Sequence, residues 1–426
     1  MSQLLLFESS GKPRCLGTFI ERVGERLIIP EGLHTISCTH GMHRFPGKFI
    51  PNLPRYLLRS VLKHRGDRTV FDPFCGSGTT LVEAALEGRP FVGIDIDPLA
   101  VLIATAKTEP LEEDDLKLLA SFWKDYDYTR QNPDLIPAVP NLLHWFSGKA
   151  VTELSAIKSG CLSLPPKPRL FCLVVFSSVI RRVSKADDQT QKTYVSHTLP
   201  KEPPLPSQLF PIFLGRAIDG MKEYMSLLLK PLIGKVIQGD ARNLPKIEFD
   251  DVLTSPPYID SIDYVYNQML EYFWLLPELG VNNYHGFRSL RKLPMGFTRG
   301  DEGIDPIEER LLSRGRHEFE SVCQQIRKHS PKEENTVRTF FREFTSHCEI
   351  MYKRQRRGGF YICVVGNSII REVTVPTTVL LIDLFCSVGY RLQDRMTYEI
   401  RRHYMKFPRR TNSGKIKQDH ILIFRR

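Results

Sequence analysis

Five short apolar runs, each closing on an acid, a glycine or a proline turn, constrain this chain more than any other feature. Thr69-Val70-Phe71 runs into Asp72, Phe91-Val92-Gly93-Ile94 runs into Asp95, and Lys235-Val236-Ile237 reaches Asp240 after Gly239. Asp251-Val252-Leu253 leads into a Ser-Pro-Pro turn at Ser255, and the run from Phe360 to Val365 ends at Gly366. Runs this short and this apolar suit strands buried on both faces of a parallel sheet. Helical patterns lie between them. Leu81, Ala84 and Ala85 share a face of 80–87, and Phe213, Ala217, Met221, Tyr224 and Leu228 repeat at helical spacing. The stretch 375–386 follows the fifth run as a further apolar helix. Strands alternating with helices predict an α/β fold, a doubly wound and mostly parallel sheet. A closing hairpin is expected from Tyr398 to Tyr404 and His420 to Phe424, around Thr411-Asn412-Ser413-Gly414, adding antiparallel edge strands.

The 426 residues are enough for one large or two ordinary domains. Charged residues at 25% and aromatics at 10% argue against a disordered chain. No run approaches the ~18–20 apolar residues of a membrane span. The N-terminal MSQLLLFESSGKPR makes a poor secretion signal, because its positive charge follows the apolar patch. Nine cysteines without paired spacing or a Cys/His cluster read as reduced thiols in a cytoplasmic protein with no metal site.

The net charge of +11 is unevenly spread. Between 391 and 426, eleven Lys and Arg face three Asp and Glu. Arg401, Arg402, Lys406, Arg409, Arg410, Lys415 and Lys417 are interleaved there with Tyr404 and Phe407. Such a cluster is either a solvated tail or a phosphate-contacting surface, and charge alone does not separate DNA from RNA. The chain is expected to divide into 1–109, with an N-terminal element and the cofactor half of a catalytic domain, and 208–276, the catalytic half. An insertion at 110–207 is Pro-rich, with helical or recognition character, and one at 277–335 is basic and could contact nucleic acid. The remainder, 336–426, completes the catalytic domain. For Trp145, Phe146 and 171–176 a helical cover over the sheet is expected.

The turn Asp72-Pro73-Phe74-Cys75-Gly76-Ser77-Gly78-Thr79-Thr80 sits between a strand and a helix. Gly76 and Gly78 let backbone approach a ligand, and the helix start at Thr79 presents N–H groups to it. A phosphate loop needs a Lys after the last glycine, and a dinucleotide fingerprint needs a third Gly where Leu81 stands. Asp72 suits an amine, Asp95 the hydroxyls of a ribose, and Asp240 an adenine amino group. Together they describe S-adenosyl-L-methionine.

Thr254-Ser255-Pro256-Pro257-Tyr258 is the second constellation. Two prolines fix an extended backbone without N–H groups. The Ser255 hydroxyl and the Pro256 carbonyl can then grip an exocyclic NH2 while Tyr258 stacks on a base. Accepting both protons localises the nitrogen lone pair and stabilises the charge that builds there during alkylation.

These motifs resemble the amino-methyltransferases of DNA, the N4-cytosine and N6-adenine family. DPFCGSGTT is similar to its cofactor turn, GIDIDP to its ribose-binding strand end and TSPPY to its catalytic motif. His43-Arg44-Phe45-Pro46-Gly47-Lys48-Phe49 is similar to an element preceding the cofactor turn in N4-cytosine members. The resemblance implies a Rossmann-like catalytic domain in which Lys48 and Phe49 lie beside the methionine end of the cofactor. Phe74 would flank the cofactor, Asp95 or neighbouring Asp97 would bind its ribose, and Ser255 to Tyr258 would form the target-base pocket. Ser255, in place of Asp, favours N4-cytosine over N6-adenine. Double-stranded DNA becomes the expected partner, and a cognate restriction endonuclease a functional one. Target recognition falls in the insertions. An RNA guanine-N2 methyltransferase and a non-catalytic nucleic-acid-binding protein stand as alternatives.

Overall fold

The computed structural model describes residues 20–30, 35–65, 67–188, 192–196, 198, 200–259, 263–296, 311, 313–400 and 418–426. Eleven strands are present among them. They are β1 (Glu21–Val23), β2 (Arg26–Ile28), β3 (Val70–Asp72), β4 (Phe91–Asp95), β5 (Gly234–Gln238) and β6 (Asp251–Thr254). The rest are β7 (Phe360–Gly366), β8 (Ser368–Ile370), β9 (Val373–Val375), β10 (Arg391–Glu399) and β11 (Gln418–Arg425). Nine form one sheet in the order β1-β2-β10-β11-β7-β6-β3-β4-β5. The five strands expected from the apolar runs are its parallel body, β5-β4-β3-β6-β7.

Alternation along these strands explains two cores. Val70, Leu253 and Ile362 enter one cluster, while Phe71, Val252 and Tyr361 enter the other. Each face is covered by helices. Thr79–Leu86, Pro98–Thr108, Pro166–Ile180 and Pro206–Leu227 pack on the first. Ser313–His329, Pro331–Arg354 and Thr377–Val388 pack on the second. Phe146, Phe171 and Phe176 are fully buried in the first cluster, each worth about 1.5–3 kcal/mol of transfer from water.

The closing hairpin is real but placed differently from the expectation. Its strands are β10 and β11, paired antiparallel from Arg391↔Arg425 to Glu399↔Gln418, so the first begins well before Tyr398. Nor do both lie at the edge. β11 is inserted between β7 and β10, and β2 pairs with β10 at Thr397↔Arg26. Ile421 and Ile423 fill one core while Leu422 and Phe424 fill the other, as befits an interior strand. The helix expected from 375 begins at Thr377, because Val375 is the end of β9 and Pro376 caps the helix. The turn residues 411–414 and the basic cluster from Arg401 to Lys417 lie outside the described residues.

Candidate active site

The parallel strands β5, β4, β3 and β6 are contiguous, so the turns at their carboxyl ends open on one rim. The chain steps outward from β3 to β4 and β5, then returns to β6 on the other side of β3. A crevice forms where the order reverses, and open α/β sheets bind ligands there. The cleft at this point encloses ≈ 900 Å³ with its open mouth included, within the ~300–1,000 Å³ of small-molecule sites.

The cleft gathers most of the residues singled out from sequence. From the cofactor side come Asp72, Phe74, Gly76, Thr79, Asp95 and Asp240. The element upstream supplies Lys48 and Phe49, and the double-proline turn supplies Ser255 and Pro257. Gly78, Pro256 and Tyr258 do not line it. Gly78 is the N-cap of Thr79–Leu86 at φ +77°, against Ala104 of the next helix. Pro256 is buried. Tyr258 packs on the second core and donates its hydroxyl to Asp419 Oδ1 of β11 at 2.8 Å. The other Asp419 oxygen accepts from Tyr398 at 2.8 Å. The two motifs are also tied directly, because Thr254 Oγ1 donates to Asp72 Oδ1 at 2.6 Å.

The three strand-end acids differ in their surroundings. Asp72 accepts from Phe74 N at 3.1 Å, and burial pushes its carboxyl up to about 6. Asp95 accepts from Gly76 N at 2.8 Å and Asp97 N at 2.9 Å, which locks the glycine turn onto β4. Burial, then the neighbouring Asp97 charge, pushes Asp95 up to about 7. Asp97 also lines the cleft, and its Oδ1 caps Pro98–Thr108 by accepting from Leu99 N at 2.8 Å and Ala100 N at 3.1 Å. Its Oδ2 is buried without a partner among the described residues. Asp240 is held by Arg242, whose Nη2 lies 2.7 Å from Oδ2. Burial would raise this carboxyl, but the bonds from Arg242 outweigh it and hold it below its ordinary range.

Behind the glycine turn, Glu83 of Thr79–Leu86 is fully buried. It accepts from Arg55 Nε at 2.7 Å and pairs with His40 Nε2 at 2.8 Å. Buried Lys107 donates to Ser77 O at 2.8 Å. Lys48 donates to the His40 carbonyl, and burial brings its ammonium down to about 8. These bonds fix the turn from below, leaving its upper surface to a ligand.

Phe45, Arg242, Tyr264 and Met295 also line the cleft and were not assigned roles from sequence. Phe45 lies inside the HRFPGKF element and covers the glycine turn, since a Cβ on Gly76 would stand 3.3 Å from its ring. It stacks on Tyr264 with centroids 6.4 Å apart. Arg242 follows Asp240 by two positions, a spacing that could have drawn notice. Tyr264 and Met295 carry no such signal.

Residues 30–106, which hold the upstream element, the glycine turn and Asp95, match the DNA methylase family model N6_N4_Mtase. The chain is 24% identical over 381 residues to the Type II methyltransferase M.MvaI of Kocuria varians, covering 83% of this chain and 82% of that one. These matches make the chain similar to the DNA amino-methyltransferase family. Over shorter spans it is 45% identical to the Type II methyltransferase M.MjaII of Methanocaldococcus jannaschii, along 78 residues covering 18% of this chain and 14% of that protein. It is also 37% identical to a tRNA (guanine(10)-N2)-dimethyltransferase of Methanothermobacter thermautotrophicus, along 83 residues covering 18% and 24%. The cofactor of this family is S-adenosylmethionine, and the cleft's donor set fits it. Carboxylates at Asp72, Asp95 and Asp97 line a site for a cationic, hydroxyl-bearing ligand, one oxygen of Asp97 lacks a partner among the described residues, and Gly76 keeps the space under Phe45 clear. Among the described residues no metal-binding cluster is present, and no helix is long and apolar enough to cross a membrane.

Proposed function

We propose that this chain is a Type II DNA methyltransferase that methylates the exocyclic N4 of cytosine in duplex DNA, as the modification half of a restriction–modification pair. The observation that carries the reading is that Ser255 and Pro257 line the same cleft as Asp72, Gly76 and Asp95. Bound S-adenosylmethionine supplies a methyl group on a sulfonium centre. Asp72 and Lys48 with Phe49 hold its methionine end, Asp95 its ribose, and Asp240, steadied by Arg242, its adenine amino group. Phe74 flanks it, and Gly76, Gly78 and Thr79 shape the turn against it.

The target base leaves the stack at a cost of a few kcal/mol and enters beside Ser255. Ser255 Oγ and the Pro256 carbonyl accept the protons of its amino group, which turns the nitrogen lone pair outward and stabilises the charge developing on it. Pro257 holds the backbone extended. Tyr258, tethered through Asp419 and packed on the second core, holds the double-proline turn in place from outside the cleft. The proton leaves to water. Ser255 in the first motif position supports cytosine N4; adenine N6 is the second reading, because the matching family model spans both chemistries. Ser255→Ala tests the assignment. Methyl transfer to plasmid DNA should be lost while calorimetric cofactor affinity stays unchanged, and full transfer by the variant would overturn the role of Ser255.

A further inference from the structure

Beside the cleft lies a second cavity that shares Phe45, Pro46 and Gly47 with it. Its polar lining includes Gln268 and Glu271, 3% and 6% exposed, together with His43, Ser178, Asp188 and Asn267. Gln268 stands between the helices Tyr264–Asn267 and Met269–Leu275, yet its side chain makes no cap bond. Its Nε2 and Oε1 are both buried without a partner among the described residues, and so is Glu271 Oε2. A buried carboxamide unpaired on both atoms weakens a fold, so a group from outside is its natural partner. Arg181, also lining the cavity, donates to the Asn267 carbonyl at 3.0 Å and fixes the segment that carries Gln268. Exposed Arg44 and Arg182 lie at the rim. An aromatic wall, an unpaired donor–acceptor pair in the floor and cations at the mouth match a planar base on a phosphate backbone.

We propose that this second cavity takes an unstacked base of the substrate nucleic acid, near the one that enters the cleft, and that the Gln268 carboxamide reads its edge. A base presenting an amino donor beside a ring-nitrogen acceptor, adenine or cytosine, satisfies both amide atoms. Glu271, whose carboxyl burial pushes up to about 7, supplies a further bond to the same edge. Gln268 is thus a specificity-determining residue from the segment that follows TSPPY. This inference rests on the reading of a nucleic-acid substrate.

The test compares wild type, Gln268→Met and Gln268→Glu on a randomised duplex library, scoring the bases around each methylated site. Gln268→Met keeps the volume without polar atoms, so it should fold with undiminished thermal stability and bind cofactor as wild type does. It should lose the base preference at one position near the target, or raise KM for the preferred duplex by roughly tenfold with kcat less affected. Gln268→Glu should shift the preference at that same position. An unchanged sequence context and KM in both variants would overturn the proposal, as would a lowered melting temperature in Gln268→Met, which would mark the side chain as structural. If wild type methylates RNA and not DNA, the proposed function fails and the same comparison on that RNA decides the pocket. Methylation of neither polymer overturns both.

Discussion

Gly78→Ala is the sharpest probe of how the cofactor turn is built. Gly78 sits at φ +77°, where a side chain costs about 1–2 kcal/mol. A Cβ there would stand 2.9 Å from the Ala104 Cβ and 3.1 Å from its Cα, inside the helix Pro98–Thr108. That helix is packed against β4 and cannot yield cheaply, so overpacking adds about 1–3 kcal/mol, for a total near 2–5 kcal/mol. Gly24→Ala is the matched control, because φ is +59° and nothing lies within 4 Å of its Cβ. It carries the backbone cost alone. Urea unfolding of both variants should therefore show the larger loss for Gly78→Ala. The displaced turn should also weaken cofactor affinity in calorimetry by roughly tenfold or more, while Gly24→Ala binds normally. Equal stability losses with unchanged cofactor binding in Gly78→Ala would refute the close approach.

Other consequences follow from the buried charges. Asp72 and Asp95 are raised from 3.8 to about 6 and about 7, so the folded chain keeps protons the unfolded chain has already released. Stability without cofactor should therefore fall as pH rises from about 4 to about 7, and cofactor binding near pH 6 should release protons, seen as a buffer-dependent calorimetric enthalpy; a flat stability profile across that window would contradict it. Glu83→Ala strands buried Arg55 and His40 and should cost about 3–5 kcal/mol in chemical denaturation, with a loss below about 1 kcal/mol arguing against the network. Tyr258→Phe frees Asp419 of one partner while keeping the ring. It should lower kcat with cofactor affinity intact; unchanged kcat would show that the tether does not position the turn.

The parallel body was readable because its strands are short apolar runs ending in turn residues, a pattern set by burial on both faces. Asp72 and Ser255 could be placed on one rim by that reasoning, since parallel neighbours end together. β1 and β2 were not legible, since each is three residues long and largely exposed, too short for a pattern to stand out. The position of β11 inside the sheet was written in Ile421 to Phe424, an unbroken apolar run that an edge strand would not need. Gln268 was invisible for a different reason. A glutamine next to Met269 and Leu270 looks like any helix start, and only the three-dimensional packing shows that its amide has no partner among the described residues. The Arg242 grip on Asp240 is likewise a matter of rotamers that spacing alone does not specify.

In the proposed reaction, one cleft aligns a methyl donor with a nucleobase amino group held by the Ser-Pro-Pro turn. Incubation of the full chain with methyl-labelled S-adenosylmethionine and unmethylated plasmid DNA, followed by digestion to nucleosides, tests it most directly. Label should appear in N4-methylcytosine. Label in N6-methyladenine would contradict the assignment made from Ser255, and no labelled nucleoside would contradict the proposed reaction itself.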